Sequence, residues 1–370
     1  MSPKSELPSP SPLTLIRPEI RSMRGYTPGE QISGAVKLNT NECAFAPSAR
    51  VKDVLARIAD DSLRLYPDPV SRRLRESAAA LYGVTPDQVL AGNGSDDCLT
   101  ILYRAFLTPG DEVRVPWPTY GLYDTLATLQ GARLTRVPYR EADGGWELPQ
   151  ALADSGAKLI MVANPNNPSA TLAPVEELRR LCERATGMVV VDEAYVDFAL
   201  GAGLAASVLP FLNAHPNLVV LRTFSKSYSL AGARLGLLFA AAPLVAELGK
   251  VKDSYNVNVL TQALGTAALE DRSHHRAVVE QTLAERARLE SALGALGFTW
   301  PPSAANFLLC TPPPRGGDPE TRAEAIYLGL KQQGLLVRWW NTPELRRRLR
   351  ITVGKPEDND RLLAALPALL

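Results

Sequence analysis

Lys226 lies in LRTFSKSYSLAGARLG (221–236), where a single lysine is surrounded by hydroxyl side chains and small residues. Arg234 follows eight positions later, in a Gly- and Ala-rich setting where the backbone can approach a ligand closely. Most lysines that follow a strand are solvated surface residues, so Lys226 alone is weak evidence for a site. The hydroxyl-rich, arginine-containing surroundings nevertheless predict that an anion binds here.

A second candidate, Asp192, ends the apolar run MVVVD, and its carboxylate is therefore expected to be buried. A buried carboxylate needs a cationic partner or becomes protonated. An aspartate that caps a helix or pairs with a structural arginine is the alternative interpretation. Taken together, Lys226 and Asp192 suit a ligand with an aldehyde at one end and a basic ring nitrogen at the other.

The stretch AGNGSDD (91–97) predicts a cradle for a phosphate group. Two glycines lead into an amphipathic helix whose first turn offers the backbone N–H groups of Ser95 and Asp96 and the positive end of the helix dipole. A simple Ser/Asp helix cap is the alternative. The stretch lacks the lysine of a P-loop, so the prediction depends on combination with Arg234, whose guanidinium suits phosphate.

The elements around these residues alternate between short β-rich runs and longer helical patterns. Candidate helices cover 119–130 and 174–185, and candidate strands cover 111–116, 158–164, 188–194, 217–223 and 233–240. This alternation predicts an α/β fold with a mostly parallel sheet covered by helices on both faces. Ligands collect at the carboxyl ends of such strands, so Asn167, Asp192, Tyr195 and Lys226 are expected to converge on one crevice.

After about residue 262 the pattern changes to long helical runs separated by short strands, which predicts a smaller α+β domain. The predicted organisation is therefore an N-terminal arm and joining segment (1–44), a large domain that carries the ligand site (45–262) and a small C-terminal domain (263–370).

Composition excludes several classes of function. Lys and Arg total 40 against 39 Asp and Glu, so no basic excess favours a nucleic-acid partner. The four cysteines are far apart and there are three histidines, so no metal site is expected and a reduced, cytoplasmic protein is predicted. The longest apolar run contains a proline and is too short to span a bilayer, so no membrane partner is expected.

Pyridoxal 5′-phosphate (PLP) carries a pyridine nitrogen, an aldehyde and a phosphate, and the chain resembles the PLP enzymes of fold type I. The resemblance is strongest to the histidinol-phosphate aminotransferases and their relatives among the class I/II aminotransferases. It implies a seven-stranded sheet in the large domain. It covers nearly the whole chain and rests on LNTNE (38–42), LYPDP (65–69), GNGSDD (92–97), PTYGLY (118–123), NPNNPS (164–169), VVVDEAYVDF (189–198), TFSKSYSLAGARLG (223–236), YNVN (255–258) and LRITVG (349–354).

The resemblance implies a role for each matching residue. Lys226 would form an aldimine with PLP and, once displaced by substrate, act as the base that moves a proton between Cα and C4′. Asp192 would keep the pyridine nitrogen protonated, Tyr195 and Asn167 would hydrogen-bond the phenolic oxygen, and Tyr120 would stack on the ring. The residues implied for the phosphate are Ser95, Asp96, Thr223, Ser225 and Arg234.

Further matches concern the substrate and a second subunit. Tyr66 matches a tyrosine that reaches the cofactor phosphate of the other subunit, which implies a homodimer with shared active sites; aromatic–proline packing is the alternative. Arg338 and Arg350 match arginines that hold the substrate phosphate, and Tyr26 matches a tyrosine that closes over it. Asn167 also belongs to the implied substrate site. A surface charge beside two tryptophans is the alternative for Arg338.

The predicted reaction converts L-histidinol phosphate and 2-oxoglutarate to imidazole-acetol phosphate and glutamate, a step of histidine biosynthesis. Three alternatives stay open: an aromatic amino acid aminotransferase, a phosphothreonine decarboxylase of the same fold, and a binding module without turnover. Retention of Lys226 and Asp192 argues against the last. The chain departs from the family where TNECAF replaces NENP, which places Cys43 beside the site entrance on the substrate side.

Overall fold

The structure is a computed structural model that describes residues 12–23, 25, 28–58, 60–142, 145–154, 156–314 and 318–370. Its strands are β1 (Val36–Lys37), β2 (Val89–Gly92), β3 (Glu112–Trp117), β4 (Arg133–Pro138), β5 (Arg140–Ala142), β6 (Gly145–Glu147), β7 (Leu159–Ala163), β8 (Met188–Asp192), β9 (Leu218–Thr223), β10 (Gly236–Phe239), β11 (Phe307–Cys310), β12 (Leu335–Leu336) and β13 (Leu349–Thr352). Its helices are α1 (Pro18–Ser22), α2 (Ala49–Arg57), α3 (Asp60–Leu63), α4 (Arg72–Tyr82), α5 (Ser95–Phe106), α6 (Leu122–Gln130), α7 (Val175–Arg184), α8 (Val196–Gly201), α9 (Ala242–Leu248), α10 (Val259–Glu270), α11 (Arg272–Ala295), α12 (Pro319–Gln332) and α13 (Pro356–Ala365).

A seven-stranded sheet in the order β2-β10-β9-β8-β7-β3-β4 forms the centre of the molecule. Strand β10 pairs antiparallel with both of its neighbours, and the remaining pairs are parallel. Strands β7 and β9 are buried along their whole length, as expected for parallel strands covered on both faces. The predicted mostly parallel sheet is confirmed.

Two apolar clusters cover the two faces of this sheet. Successive side chains of a strand point to opposite faces, and along β8 Val189 and Val191 belong to one cluster while Val190 belongs to the other. Helix α7 packs in the first cluster through Leu178 and Leu181. Helices α5, α6 and α9 pack in the second. The strands are therefore held from both sides, and the positions of their ends are fixed.

The largest difference from the predicted strands is at 233–240. The prediction for 233–240 began three residues before β10, which starts at Gly236. Arg234 has the left-handed backbone conformation, with φ at 52°, and it follows a short turn of 3₁₀ helix. An extended strand cannot pass through that conformation, so β10 begins only after Arg234 has turned.

A second group of strands lies near the C-terminus. Strands β11 and β13 pair antiparallel, and an isolated bridge joins Arg338 to Arg350 beside them. Strand β1, from the N-terminal segment, pairs parallel with β12. Helices α11, α12 and α13 contribute to the apolar cluster of this region. The N-terminal segment thus adds a strand to the C-terminal region, while the domain boundaries after residues 44 and 262 stay predictions.

Among the described helices none is long and apolar enough to cross a bilayer. Within the same part of the chain, no group of three or more His, Cys, Asp or Glu side chains could hold a metal ion. Cys43, Cys98, Cys182 and Cys310 are free thiols.

Candidate functional site

A cavity of about 360 Å³ lies where β7, β8 and β9 end. Because these strands are parallel, their last residues, Ala163, Asp192 and Thr223, meet at one edge of the sheet, and all three line the cavity. The lining also includes these predicted site residues: Ser95, Asp96, Tyr120, Asn167, Tyr195, Ser225, Lys226, Arg234, Arg338 and Arg350. The convergence expected from the sequence therefore occurs.

Lys226 presents its amine to this cavity. Its Nζ donates a hydrogen bond to the carbonyl oxygen of Thr40 at 3.1 Å. Burial, followed by the nearby charge of Arg350, lowers the pKa of Lys226 to about 8. A much larger fraction of the amine is therefore neutral near physiological pH than for an ordinary lysine, as attack on an aldehyde requires.

Asp192 also lines this cavity. Its Oδ2 accepts a hydrogen bond from the Tyr123 hydroxyl at 2.9 Å, and its Oδ1 accepts one from the backbone N–H of Ala194 at 3.2 Å. Burial raises the pKa of Asp192 to about 6. No cation of the described residues forms an ion pair with this carboxylate. A protonated ring nitrogen would supply that cation and hold Asp192 ionised.

Tyr195 and Asn167 lie on the side of the cavity next to the C-terminal region. The Tyr195 hydroxyl accepts a hydrogen bond from Asn41 Nδ2 at 2.9 Å, and its ring packs edge-on against Phe307 with centroids 5.0 Å apart. Asn167 Oδ1 accepts a hydrogen bond from Arg350 Nη1 at 2.5 Å. Asn167, which is predicted to contact PLP, is therefore hydrogen-bonded to an arginine of the substrate end.

The predicted phosphate cradle is assembled from two segments. Helix α5 begins at Ser95, directly after Gly94 with φ at 89°. Arg234 Nη2 lies 3.0 Å from Asp96 Oδ2, and its Nη1 lies 3.5 Å from Ser225 Oγ. A Cβ added at Gly236 would come within 2.3 Å of the Ser95 nitrogen, so only glycine permits this approach. Guanidinium, hydroxyl and helix N-terminus together suit a phosphate group.

Two arginines form the substrate end of the cavity. Arg338 and Arg350 are cross-strand partners, and their guanidinium carbons lie 5.2 and 5.1 Å from the centre of the Trp340 ring. Arg350 Nη2 donates to the carbonyl oxygen of Asn39 at 2.7 Å, and Arg338 Nη1 donates to that of Pro28 at 3.2 Å. Like charges held side by side facing one space favour an anionic ligand between them.

Two predicted tyrosines remain to be accounted for. Tyr66 does not line it; its side chain is 79% exposed and its ring stacks on Tyr255 with centroids 4.4 Å apart. Tyr26 lies outside the described residues. The roles predicted for both tyrosines stay predictions.

Several residues of the site were missed by the sequence reasoning. Tyr123 and Glu42 lie inside motifs that were recognised, PTYGLY and LNTNE, yet neither was assigned a role. Glu42 lines the cavity and accepts hydrogen bonds from Lys37 Nζ at 2.7 Å and Thr40 Oγ1 at 2.6 Å. Trp340 was assigned no role either, yet its ring lies against both arginines. The motif matches could have identified Tyr123 and Glu42. The position of Trp340, by contrast, follows only from the three-dimensional structure.

Comparison with known proteins places this geometry in context. A family model for aminotransferases of class I and II matches residues 33–366. A histidinol-phosphate aminotransferase of Synechocystis sp. is 42% identical over 358 residues, covering 96% of this chain and 98% of the relative. One from Rhodopirellula baltica is 40% identical over 349 residues, covering 93% and 92%.

Solved structures agree with the fold. The crystal structure of a histidinol-phosphate aminotransferase from Sinorhizobium meliloti, in complex with pyridoxal-5′-phosphate, matches with a TM-score of 0.86 and 28% identity, covering 96% of this chain and 97% of that one. A mutant aspartate aminotransferase of Thermus thermophilus matches with a TM-score of 0.80 at 22% identity, covering 96% and 99%, and supports the fold alone. The predicted fold class is confirmed.

Proposed function

The chain belongs to the aminotransferases of class I and II, which are PLP-dependent, and we propose that its amino donor is L-histidinol phosphate and its acceptor 2-oxoglutarate. The names of the relatives at about 40% identity support this choice. Within the structure, the observation that carries it is the adjacent pair Arg338 and Arg350 at the substrate end of the cavity.

The residues present fit PLP. Asp192 is a buried carboxylate that lacks a cation among the described side chains, and a protonated pyridine nitrogen is such a cation. The start of α5 and Arg234 form a cradle for a phosphate, and the Lys226 amine suits an aldehyde. When bound, PLP supplies an electron sink for the negative charge that develops at the substrate Cα.

The chain's own groups supply the proton chemistry. The lowered pKa of Lys226 lets its Nζ act as a base at the substrate Cα near neutral pH. The carbonyl oxygen of Thr40 orients that nitrogen within the cavity. The Tyr195 hydroxyl, held by Asn41, and the Asn167 amide, held by Arg350, would hydrogen-bond the phenolic oxygen of the cofactor.

The paired arginines are the argument for a phosphorylated amine. Histidinol phosphate has no α-carboxylate, so its phosphate is the anion that anchors it. A carboxylate is satisfied by one bidentate guanidinium, whereas a phosphate has three oxygens and up to two charges to share between Arg338 and Arg350. Both guanidinium groups lie against the Trp340 ring, which helps to orient them.

Two alternatives use the same site. An aromatic amino acid would place its α-carboxylate on Arg350 and its ring against Trp340. Phosphothreonine would occupy both arginines and lose its carboxyl group as CO₂. These substrates differ from histidinol phosphate in products as well as in binding, so a product analysis separates the three.

The test is a single-turnover absorbance assay of the PLP-loaded protein. L-histidinol phosphate, phenylalanine, tyrosine, glutamate and phosphothreonine are added separately, and conversion of the cofactor to pyridoxamine phosphate is followed. We expect fast conversion by histidinol phosphate and glutamate alone, with imidazole-acetol phosphate as the product of the first. Faster conversion by the aromatic amino acids, or CO₂ release from phosphothreonine, would overturn the proposal.

We also propose a homodimer in which Tyr66 of each subunit reaches the other's cofactor phosphate. Leu63 and Leu65 are more than half exposed beside Tyr66, and such an apolar surface suits contact with a second copy. Sedimentation should give twice the monomer mass, and a monomer with full activity would contradict the shared site. A cytoplasmic location stays a proposal too, supported by the four free cysteines.

A further inference from the structure

A buried polar network lies behind the cavity. The side chain of Arg222 is 6% exposed and that of Glu193 is fully buried, and their N–O distance is 2.8 Å. Arg222 Nη1 also lies 3.2 Å from Asp197 Oδ1, and its guanidinium lies over the Tyr82 ring at 5.0 Å. Glu193 in turn accepts hydrogen bonds from the Ser207 hydroxyl at 2.9 Å and from a backbone N–H.

Members of this network are next to residues of the cofactor site in the chain. Along β9 the side chains of adjacent residues point to opposite faces, so Arg222 points away from the cavity that Thr223 lines. Three cavity residues, Asp192, Thr223 and Lys226, have a sequence neighbour in the network. These neighbours are Glu193, Arg222 and Ser227.

Asp197 is the group on which the network converges. Its Oδ2 accepts a hydrogen bond from Ser227 Oγ at 2.5 Å and lies 3.4 Å from His275 Nε2. His275 belongs to helix α11 and stacks on the Tyr228 ring at 4.1 Å. Although burial acts in the opposite direction, His275 and Arg222 hold the pKa of Asp197 below its ordinary value, so the carboxylate stays charged.

The segment that carries Lys226 lies outside regular secondary structure and is closed by a backbone hydrogen bond from Leu230 to the Phe224 carbonyl oxygen at 3.0 Å. It follows the end of β9 and belongs to no helix or strand up to Leu230. Ser229 has a positive φ of 59°, and the backbone carbonyl of Lys226 accepts only a long hydrogen bond, of 3.4 Å, from Ser229. The Ser227–Asp197 hydrogen bond ties the residue directly after the lysine to helix α8, and it is one of several contacts that hold this segment.

Stability alone does not explain these buried charges. Replacing a buried ion pair by apolar side chains is often neutral or stabilising, so a network of this kind is weak evidence for stability. Its members are instead next to the residues whose positions the chemistry requires. We propose that Ser227 and Asp197 are positioning residues, which hold the Lys226 backbone so that Nζ points at the reacting carbon in the cavity.

The experiment compares Ser227→Ala with Ser48→Ala. Both serines are buried, at 2% and 3% exposure, but Ser48 caps helix α2 and its hydroxyl contacts Asp271 instead of Asp197. Melting temperatures report the loss of stability in each. The pH midpoint of the bound cofactor's absorption, measured without substrate, reports the environment of the Lys226 nitrogen.

We expect Ser227→Ala to shift that midpoint and to lower kcat about tenfold with glutamate while its KM changes less than twofold, because the lysine is misplaced and the arginines are not. Ser48→Ala should lower only the melting temperature. Equal losses of stability with an unchanged midpoint and kcat in both variants would overturn the proposal.

A second pair covers the case in which Ser227→Ala does not fold. Ser227→Thr and Ser227→Val have the same shape and differ in the hydroxyl, so only the first should keep the midpoint and kcat. Equal values for the two would contradict the role of the hydroxyl. The inference rests on Lys226 carrying PLP and not on the proposed amine, and the substrate-free midpoint can be measured even if histidinol phosphate proves not to be the donor.

Discussion

The two ends of the cavity are built in different ways. At the cofactor end, Asp192 and Thr223 are the last residues of neighbouring strands, and Lys226 follows three positions later. At the substrate end, Arg350 is held by Asn39 and Asn167, which lie 311 and 183 residues away in the chain. The first end is set by one sheet, whereas the second is set by the assembly of distant segments. Cofactor chemistry should therefore tolerate substitutions at the substrate end far better than substrate turnover tolerates substitutions at the cofactor end.

Lys226→Ala tests the cofactor end most severely. Without the amine, neither attachment of PLP nor proton transfer at Cα is possible, and we expect turnover to fall about 10⁴-fold or more for every substrate. Two measurements report the effect: the absorption band of the protein-bound cofactor, which should be lost, and the steady-state rates. Lys158→Ala, which removes a surface ion pair with Asp111, is the control and should keep full activity. Retained transamination in the first variant would refute the assignment.

Asp192→Asn removes the charge opposite the pyridine nitrogen. The amide has nearly the same shape but cannot hold that nitrogen protonated, so we expect kcat to fall about 10²- to 10³-fold with all amines. Steady-state kinetics with two different donors measures the effect. A loss confined to one donor would mean that Asp192 acts at the substrate end instead.

Arg338→Ala addresses the substrate end alone. Loss of a charge-assisted contact to phosphate should cost about 2–3 kcal/mol in kcat/KM for histidinol phosphate and much less for phenylalanine. Arg346→Ala is the control, because Arg346 pairs with Glu320 and does not line the cavity. Equal losses for the two amines would make Arg338 a structural residue.

The pKa of Lys226 gives a pH dependence to the cofactor end. Because that pKa is lowered to about 8, the neutral fraction of the amine in PLP-free protein rises about tenfold from pH 6 to pH 7 and levels off above pH 8. The rate of PLP capture, followed by absorbance, should rise in the same way. A rate that keeps rising to pH 10 would show that the amine has an ordinary pKa.

The smallest expected effect belongs to Tyr123. Tyr123→Phe removes the hydroxyl that donates to Asp192, at a cost of about 1 kcal/mol in PLP affinity and a change in kcat of a few fold. Titration of the PLP-free protein with PLP measures it. A variant with unchanged PLP affinity would show that Ala194 and the cofactor nitrogen suffice to hold the carboxylate.

The same contrast explains how far the sequence could be interpreted. Strand ends are local features, so Asp192 and Lys226 could be predicted from apolar runs followed by polar residues. The start of β10 was predicted too early because the left-handed turn at Arg234 is set by close contact with α5. The contact of the Trp340 ring with two arginines and the link from Asn167 to Arg350 depend on long-range assembly, which no local pattern encodes.

The central claim is that a phosphate anchors the amino donor at Arg338 and Arg350. The most direct test is kcat/KM for L-histidinol phosphate and for L-histidinol, which differ only in the phosphate, in the unaltered protein and in Arg338→Ala. We expect a preference for the phosphorylated amine of about 10³-fold or more in the unaltered protein, falling at least 30-fold in the variant. Similar values for the two amines in the unaltered protein would contradict the claim.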